Sequence, residues 1–306
     1  MKTICVTGGN GLLGNKVLAA AEHDYQLVSI DLAEEPLNQY HHMDYIQADI
    51  CDLRAMQRII NRFKPSAVIH TAAMTNVDRC ESDREMAWQV NVVGAGHVAM
   101  ASHAAGAKMI HVSTDYVFDG KNGPYSETDE PNPISYYGLT KLEGERAVLD
   151  HHDHAAIART MILYGFVPQI RLNFMTWLIQ SLGKGETVRI VTDQYGNPTL
   201  ADDLAEALIL LYKKGRKGIY HTAGSSWLNR YETALAVADV FQLDAKLVRK
   251  ATTARLKQPA PRPMQGGLIC DKLARETGFV FSDLQSGLKK LKEQMLNSSG
   301  FDKNVE

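Results

Sequence analysis

Short apolar runs alternate with stretches whose apolar residues recur every three or four positions, and this alternation organises the first half of the chain. Residues 2–7, 26–30, 43–50, 67–70 and 108–113 read as strands. A stretch ending near Glu22 and residues 53–63, 85–105 and 137–149 carry helical spacing, with Pro65 stopping the second. Strand and helix in strict alternation predict right-handed crossovers and an α/β fold with a doubly wound, Rossmann-type parallel sheet. Beyond Gly165 the pattern loosens. Residues 172–182, 201–213, 231–241 and 284–296 read as helices, and 187–191, 218–221 and a basic run near 246–249 as strands. A smaller C-terminal lobe is expected there, and the polar residues 297–306 are expected to form a loose tail.

The first strand runs straight into Gly8-Gly9-Asn10-Gly11-Leu12-Leu13-Gly14 and then a helix. Glycines let a backbone turn tightly and come close to a diphosphate, whose charge is favoured by free N–H groups at a helix start. Between a strand and a helix, such a turn is a dinucleotide fingerprint. The second strand ends at Asp31, 17 residues past Gly14. A carboxylate there accepts hydrogen bonds from an adenosine ribose and repels a 2′-phosphate, so NAD(H) is favoured, with NADP(H) the alternative. Asp49-Ile50 close the third strand, and Ala72, Ala73 and Thr75 follow the fourth as small residues on which a flat ligand can lie. His70, ending that strand, is expected to be packed and not catalytic.

Tyr137 and Lys141 are four apart in a predicted helix and therefore share a face. A phenol titrates near ~10, and an adjacent ammonium favours its phenolate, so the pair suits proton transfer. The fifth strand ends at Ser113-Thr114, which in such a sheet delivers the Thr114 hydroxyl to the crevice of the glycine turn. On the helix of Tyr137, Glu143 and Glu145 are expected to face outward.

The chain has 306 residues and a formal net charge of -2, which excludes a broad basic field for nucleic acid. No apolar run reaches the ~18 residues a membrane helix needs, and the start reads as a buried strand with no signal peptide. Cys5, Cys51, Cys80 and Cys270 show no C-x-x-C spacing, in keeping with a reducing cytoplasm. His41-His42 and His151-His152-Asp153-His154 are expected to be solvated loop residues, so no catalytic metal is predicted.

Several motifs recur together along the chain. They are Thr7-Gly8-x-x-Gly11-x-x-Gly14, Ala72-Ala73-x-Thr75-x-Val77-Asp78, Val90-Asn91, residues 113–120, and Tyr137-Gly138-x-Thr140-Lys141-x-x-Gly144-Glu145. Arg159-Thr160, Asn173-Phe174, residues 193–199 and Arg262-Pro263 continue the set. On these residues the chain resembles the extended short-chain dehydrogenase/reductase family and, within it, the dTDP-4-dehydrorhamnose reductase group. The resemblance implies a catalytic Thr114, Tyr137 and Lys141, with Asn91 supporting the helix beside them. It implies a cofactor held by Gly8, Gly11, Leu12, Leu13, Gly14, Asp31, Asp49, Ile50, Ala72, Ala73, Thr75, Asn91, Tyr137 and Lys141. It also implies a nucleotide-diphosphate sugar held by Thr75, Val77, Thr114, Tyr116, Asn173 and Arg262.

Chemically, Tyr137 would give a proton to a ketone oxygen receiving hydride, Thr114 would hold the carbonyl, and Lys141 would bind the ribose and lower the phenol's pKa. Arg262 offers a two-donor grip on phosphate, and Asn173 is either a helix cap or a ligand contact. By resemblance, the cofactor domain comprises residues 1–164 and 200–223, and the discontinuous substrate lobe 165–199 and 224–296. The expected reaction takes dTDP-4-dehydro-L-rhamnose to dTDP-L-rhamnose. One departure concerns the sugar: the group's tryptophan after Arg-Thr is replaced here by Met161-Ile162. Two alternatives remain open, a regulatory subunit similar to the β subunit of methionine adenosyltransferase and a nucleotide-sugar epimerase with bound NAD. Helices 85–105 and 137–149 offer faces for a possible homodimer.

Overall fold

A computed structural model of the chain describes residues 1–298, so most of the predicted tail lies outside the described residues. Seven strands form the central sheet: β1 (Lys2–Thr7), β2 (Tyr25–Asp31), β3 (Met43–Gln47), β4 (Ala67–His70), β5 (Lys108–Thr114), β6 (Ala156–Thr160) and β7 (Gly218–His221). Their order is β7-β6-β5-β4-β1-β2-β3, with every pairing parallel. The doubly wound α/β sheet is thus as the alternation predicts. Winding reverses between β1 and β4, where a crevice opens beyond the strands' carboxyl ends.

Side chains alternate across each strand, so β1 feeds two cores. Ile4 and Val6 pack with Leu18 of helix α1 (Leu12–Ala21). Cys5 faces the other layer, with Met56 and Ile60 of α2 (Leu53–Phe63) and Val98 of α3 (Ala95–Ala104). α2 begins where Asp52 accepts a hydrogen bond from Ala55 N, and it ends at Lys64 in the left-handed region, just before Pro65.

Helix α4 (Tyr136–His151) packs beside α3. The predicted continuous helix over 85–105 is interrupted: Gln89–Gly94 forms a π-helical turn between the helix Arg84–Trp88 and α3. A π turn carries one extra residue, and here it delivers the buried Asn91 side chain to the Met74 backbone and to Thr140 of α4. Glu145 also departs from expectation. It is buried in a two-pronged ion pair with Arg159 of β6, at 2.9 and 2.7 Å, and accepts from the Ser113 hydroxyl. That pair ties α4 to β5 and β6.

A separate core gathers α5 (Phe174–Gly183), α7 (Arg230–Val240) and α8 (Leu284–Asn297) over the short parallel ladder of Val188–Val191 with Val248–Ala251. α6 (Ala201–Lys213) instead packs on α1, and β7 joins the main sheet. α8 extends one residue past the predicted end, into the expected tail. No helix among the described residues is long and apolar enough to cross a membrane.

Candidate active site

A cleft of about 600 Å³ lies over the carboxyl ends of the strands at the point of reversal. Gly8, Gly11, Leu12, Leu13 and Gly14 line one end, followed by Asp31, Asp49, Ile50, Ala72, Ala73 and Thr75. Among the described residues no side chain caps α1, which leaves its first-turn N–H groups open to an anion. Gly14 has to be glycine: a Cβ there would run into the Gly8 backbone oxygen. Asp31 lines the cleft, and its carboxylate accepts from Asn10 N at 3.0 Å and Leu32 N at 2.8 Å.

Thr114, Tyr137 and Lys141 meet in this same cleft. β5 ends at Thr114, whose hydroxyl donates to Asp115 Oδ1 at 3.1 Å and accepts from Tyr116 N. Ser135 caps α4 through Gly138 N at 3.1 Å, so Tyr137 stands in the first turn with Lys141 one turn on. The Lys141 ammonium donates to Val112 O at 2.8 Å and lies 3.5 Å from His111 Nε2. Burial pushes Lys141 down to about 8, with Glu145 pulling the other way. Burial also raises the Tyr137 phenol above its ordinary value; its hydrogen bond with Thr114 lowers it, and the charge of Asp115 adds to the rise. The expectation that Lys141 lowers this pKa is therefore corrected: removal from water dominates, and the ammonium is turned to a backbone carbonyl. Asp115 is pushed up to about 7 by burial, opposed by Thr114 and Arg230.

Beneath the lysine, His111 stacks on His70 with ring centroids 5.1 Å apart, and His70 Nδ1 lies 2.6 Å from Thr7 Oγ1. His70 is packed, as expected. His111 went unnoticed in the sequence because its strand reads simply as buried.

A second cavity of about 620 Å³ adjoins the first, and Thr75, Val77, Tyr116 and Arg230 line both. Arg171, Arg189 and Arg262 add three more guanidinium groups to its wall, against the single carboxylate of Asp78, which pairs with Arg262 at 2.9 Å. Arg230 escaped sequence reading although a signal existed: it opens α7, where the helix dipole disfavours a cation, so a local role was not the reason for it. Asn173 proves to be a cap. Its side-chain oxygen accepts from Met175 N and Thr176 N, its amide donates to Gly165 O, and it lines neither cavity. Asn91 likewise braces Met74 from behind the wall and does not line the cleft. Met161 and Ile162, which follow Arg159-Thr160, both line the cleft, and the Met161 sulfur accepts from Asn197 N at 3.3 Å.

The model of the RmlD substrate binding domain matches residues 1–297. The chain belongs to this RmlD family. A probable low-salt glycan biosynthesis reductase, Agl14, of Haloferax volcanii is 34% identical over 290 residues, covering 94% of this chain and 96% of that protein. Methionine adenosyltransferase 2 subunit beta of Xenopus tropicalis is 34% identical over 278 residues, covering 88% and 81%. Among solved structures, a dTDP-4-dehydrorhamnose reductase from Clostridium acetobutylicum superposes with a TM-score of 0.86 at 30% identity, covering 96% of this chain and 99% of that one. The dTDP-4-dehydrorhamnose reductase from Bacillus anthracis in complex with NADP gives 0.85 at 28% identity, covering 96% and 100%. The extended short-chain dehydrogenase/reductase resemblance read from the motifs agrees with this membership.

Proposed function

We propose that this RmlD-family chain is a nicotinamide-dependent reductase of a nucleotide-diphosphate sugar ketone. The observation that carries the proposal is the meeting of Thr114, Tyr137 and Lys141 in a cleft continuous with an arginine-lined cavity. The free N–H groups at the α1 start fit a dinucleotide's diphosphate, and Asp31 favours NAD(H) over NADP(H) through its carboxylate. Bound there, the dinucleotide supplies hydride.

Every other part of the step belongs to the chain. Thr114 holds the ketone oxygen, and Tyr137, kept protonated by burial, gives it a proton as negative charge develops. Lys141 anchors ribose hydroxyls. Arg262 and Arg230 take the substrate's phosphates, and residues 1–164 with 200–223 act as the cofactor lobe against a substrate lobe of 165–199 with 224–296. The relatives support dTDP-4-dehydro-L-rhamnose as the substrate. The test is to incubate the protein with each reduced nicotinamide and a panel of nucleotide 4-ketosugars, then weigh the products. A product heavier by one hydride and one proton is expected; no turnover on any sugar would contradict the proposal.

A second reading is a regulatory subunit, favoured by the methionine adenosyltransferase 2 subunit beta relative. Stoichiometric recovery of a partner enzyme, together with no turnover, would support it.

A further inference from the structure

Helix α4 carries Tyr137 at one end and stops, about 22 Å along its axis, at a cluster that the reductase reading does not use. His103 stands in the last turn of α3, His152 directly follows α4, and Asp153 comes next. One ligand atom from each of the three lies within 4.8 Å of the others. His103 Nδ1 and Asp153 Oδ1 are 3.7 Å apart. A zinc ion with bonds of ~2.0–2.1 Å holds neighbouring ligand atoms about 3.3 Å apart at the tetrahedral angle, so little movement of two exposed side chains is needed.

His152 decides the case. The sequence expectation made it a solvated loop residue, yet it is only 3% exposed. Its Nε2 lies 2.8 Å from the Ala107 carbonyl oxygen, which can only accept, so the hydrogen sits on Nε2 and Nδ1 carries a lone pair. That Nδ1 is buried and has no hydrogen-bond partner among the described residues. A buried acceptor without a partner is costly unless a ligand satisfies it. A ring fixed through its other nitrogen by a backbone carbonyl is the usual arrangement of a metal-bound histidine. The carboxyl ends of α3 and α4 converge here as well, and their dipoles favour a cation.

We propose that His103, His152 and Asp153 bind a divalent transition-metal ion of the zinc class, at a structural site that fastens the end of α3 to the end of α4. The donor set, two imidazoles and a carboxylate, matches that class and not magnesium or calcium. His154 Nε2, 3.6 Å from Asp153 Oδ2, or a water completes four-coordination.

Tag-free full-length protein, stripped with chelator and titrated with zinc chloride, tests this by calorimetry and thermal unfolding. One zinc per chain and a raised Tm are expected. His103→Ala and Asp153→Asn, both at exposed positions, should weaken that binding by at least about tenfold and abolish the Tm rise. A His41→Ala, His42→Ala double variant should bind as the parent does, and turnover of the stripped protein should be unchanged. Absence of zinc binding, or binding that survives His103→Ala and Asp153→Asn, would overturn the proposal.

Discussion

Asp115 sits one residue beyond Thr114 with only 4% of its surface exposed, and the fold opposes its charge. Its folded pKa, pushed up by burial to about 7, lies above the ordinary 3.8. The stability it contributes is therefore full below pH 3.8 and is lost as pH rises through about 7. Asp115→Asn should flatten that loss and stabilise the protein on the order of 2 to 4 kcal/mol above pH 7, read from denaturant unfolding at several pH values. An unchanged pH dependence would mean that the carboxyl is ionised at little cost. Lys141, held near 8 by burial, titrates in the working range. If its ammonium anchors the ribose, kcat/KM should fall as pH rises through about 8, and Lys141→Met should lose both rate and that limb. A profile level across this range would detach Lys141 from turnover. The pairing of Tyr137 with Lys141 was legible from helical spacing. The environment of the phenol was not, because the sequence does not show how deeply α4 is buried.

Two glycines set the seat of α4. A Cβ on Gly138 would meet the Tyr116 carbonyl oxygen, and one on Gly144 the Asn91 carbonyl oxygen, so both backbones can approach only without side chains. Gly144→Ala should cost about 1–3 kcal/mol and lower turnover by shifting Tyr137, with unfolding and kinetics measured together. Retained stability and rate would show that the π turn yields. The Glu145–Arg159 pair pins the same helix to β6, and breaking one partner of a fully buried pair costs about 3–5 kcal/mol. Glu145→Leu should show a loss of that size in chemical denaturation. The strands and helices of the sheet were legible because period two and period 3.6 differ plainly. The inward turn of Glu145 was not, since its partner lies on the next strand, and a six-residue π turn leaves no period of its own.

Taken whole, the molecule is a cleft of about 600 Å³ opening through shared walls into a cationic one, and the second is built from distant parts of the chain. Arg171 precedes α5, Arg189 lies on a short strand, Arg230 opens α7 and Arg262 sits between prolines. Glycine turn, Asp31 and Thr114 were legible because local spacing fixes them. Among these arginines only Arg262 was; Arg230 left a signal as a cation at the head of α7, and Arg171 and Arg189 join the wall through tertiary packing alone. Arg262→Ala should raise KM for a nucleotide sugar by roughly 10- to 100-fold while largely sparing kcat, since it removes binding far from the reacting carbon. An unaltered KM would place the phosphates elsewhere.

The most direct test is the steady-state oxidation of reduced nicotinamide by wild type and Tyr137→Phe with a nucleotide 4-ketosugar, alongside cofactor affinity for each. The account predicts a rate lower by about 10²- to 10⁴-fold with cofactor binding nearly unchanged. Wild-type turnover surviving in the variant would contradict it.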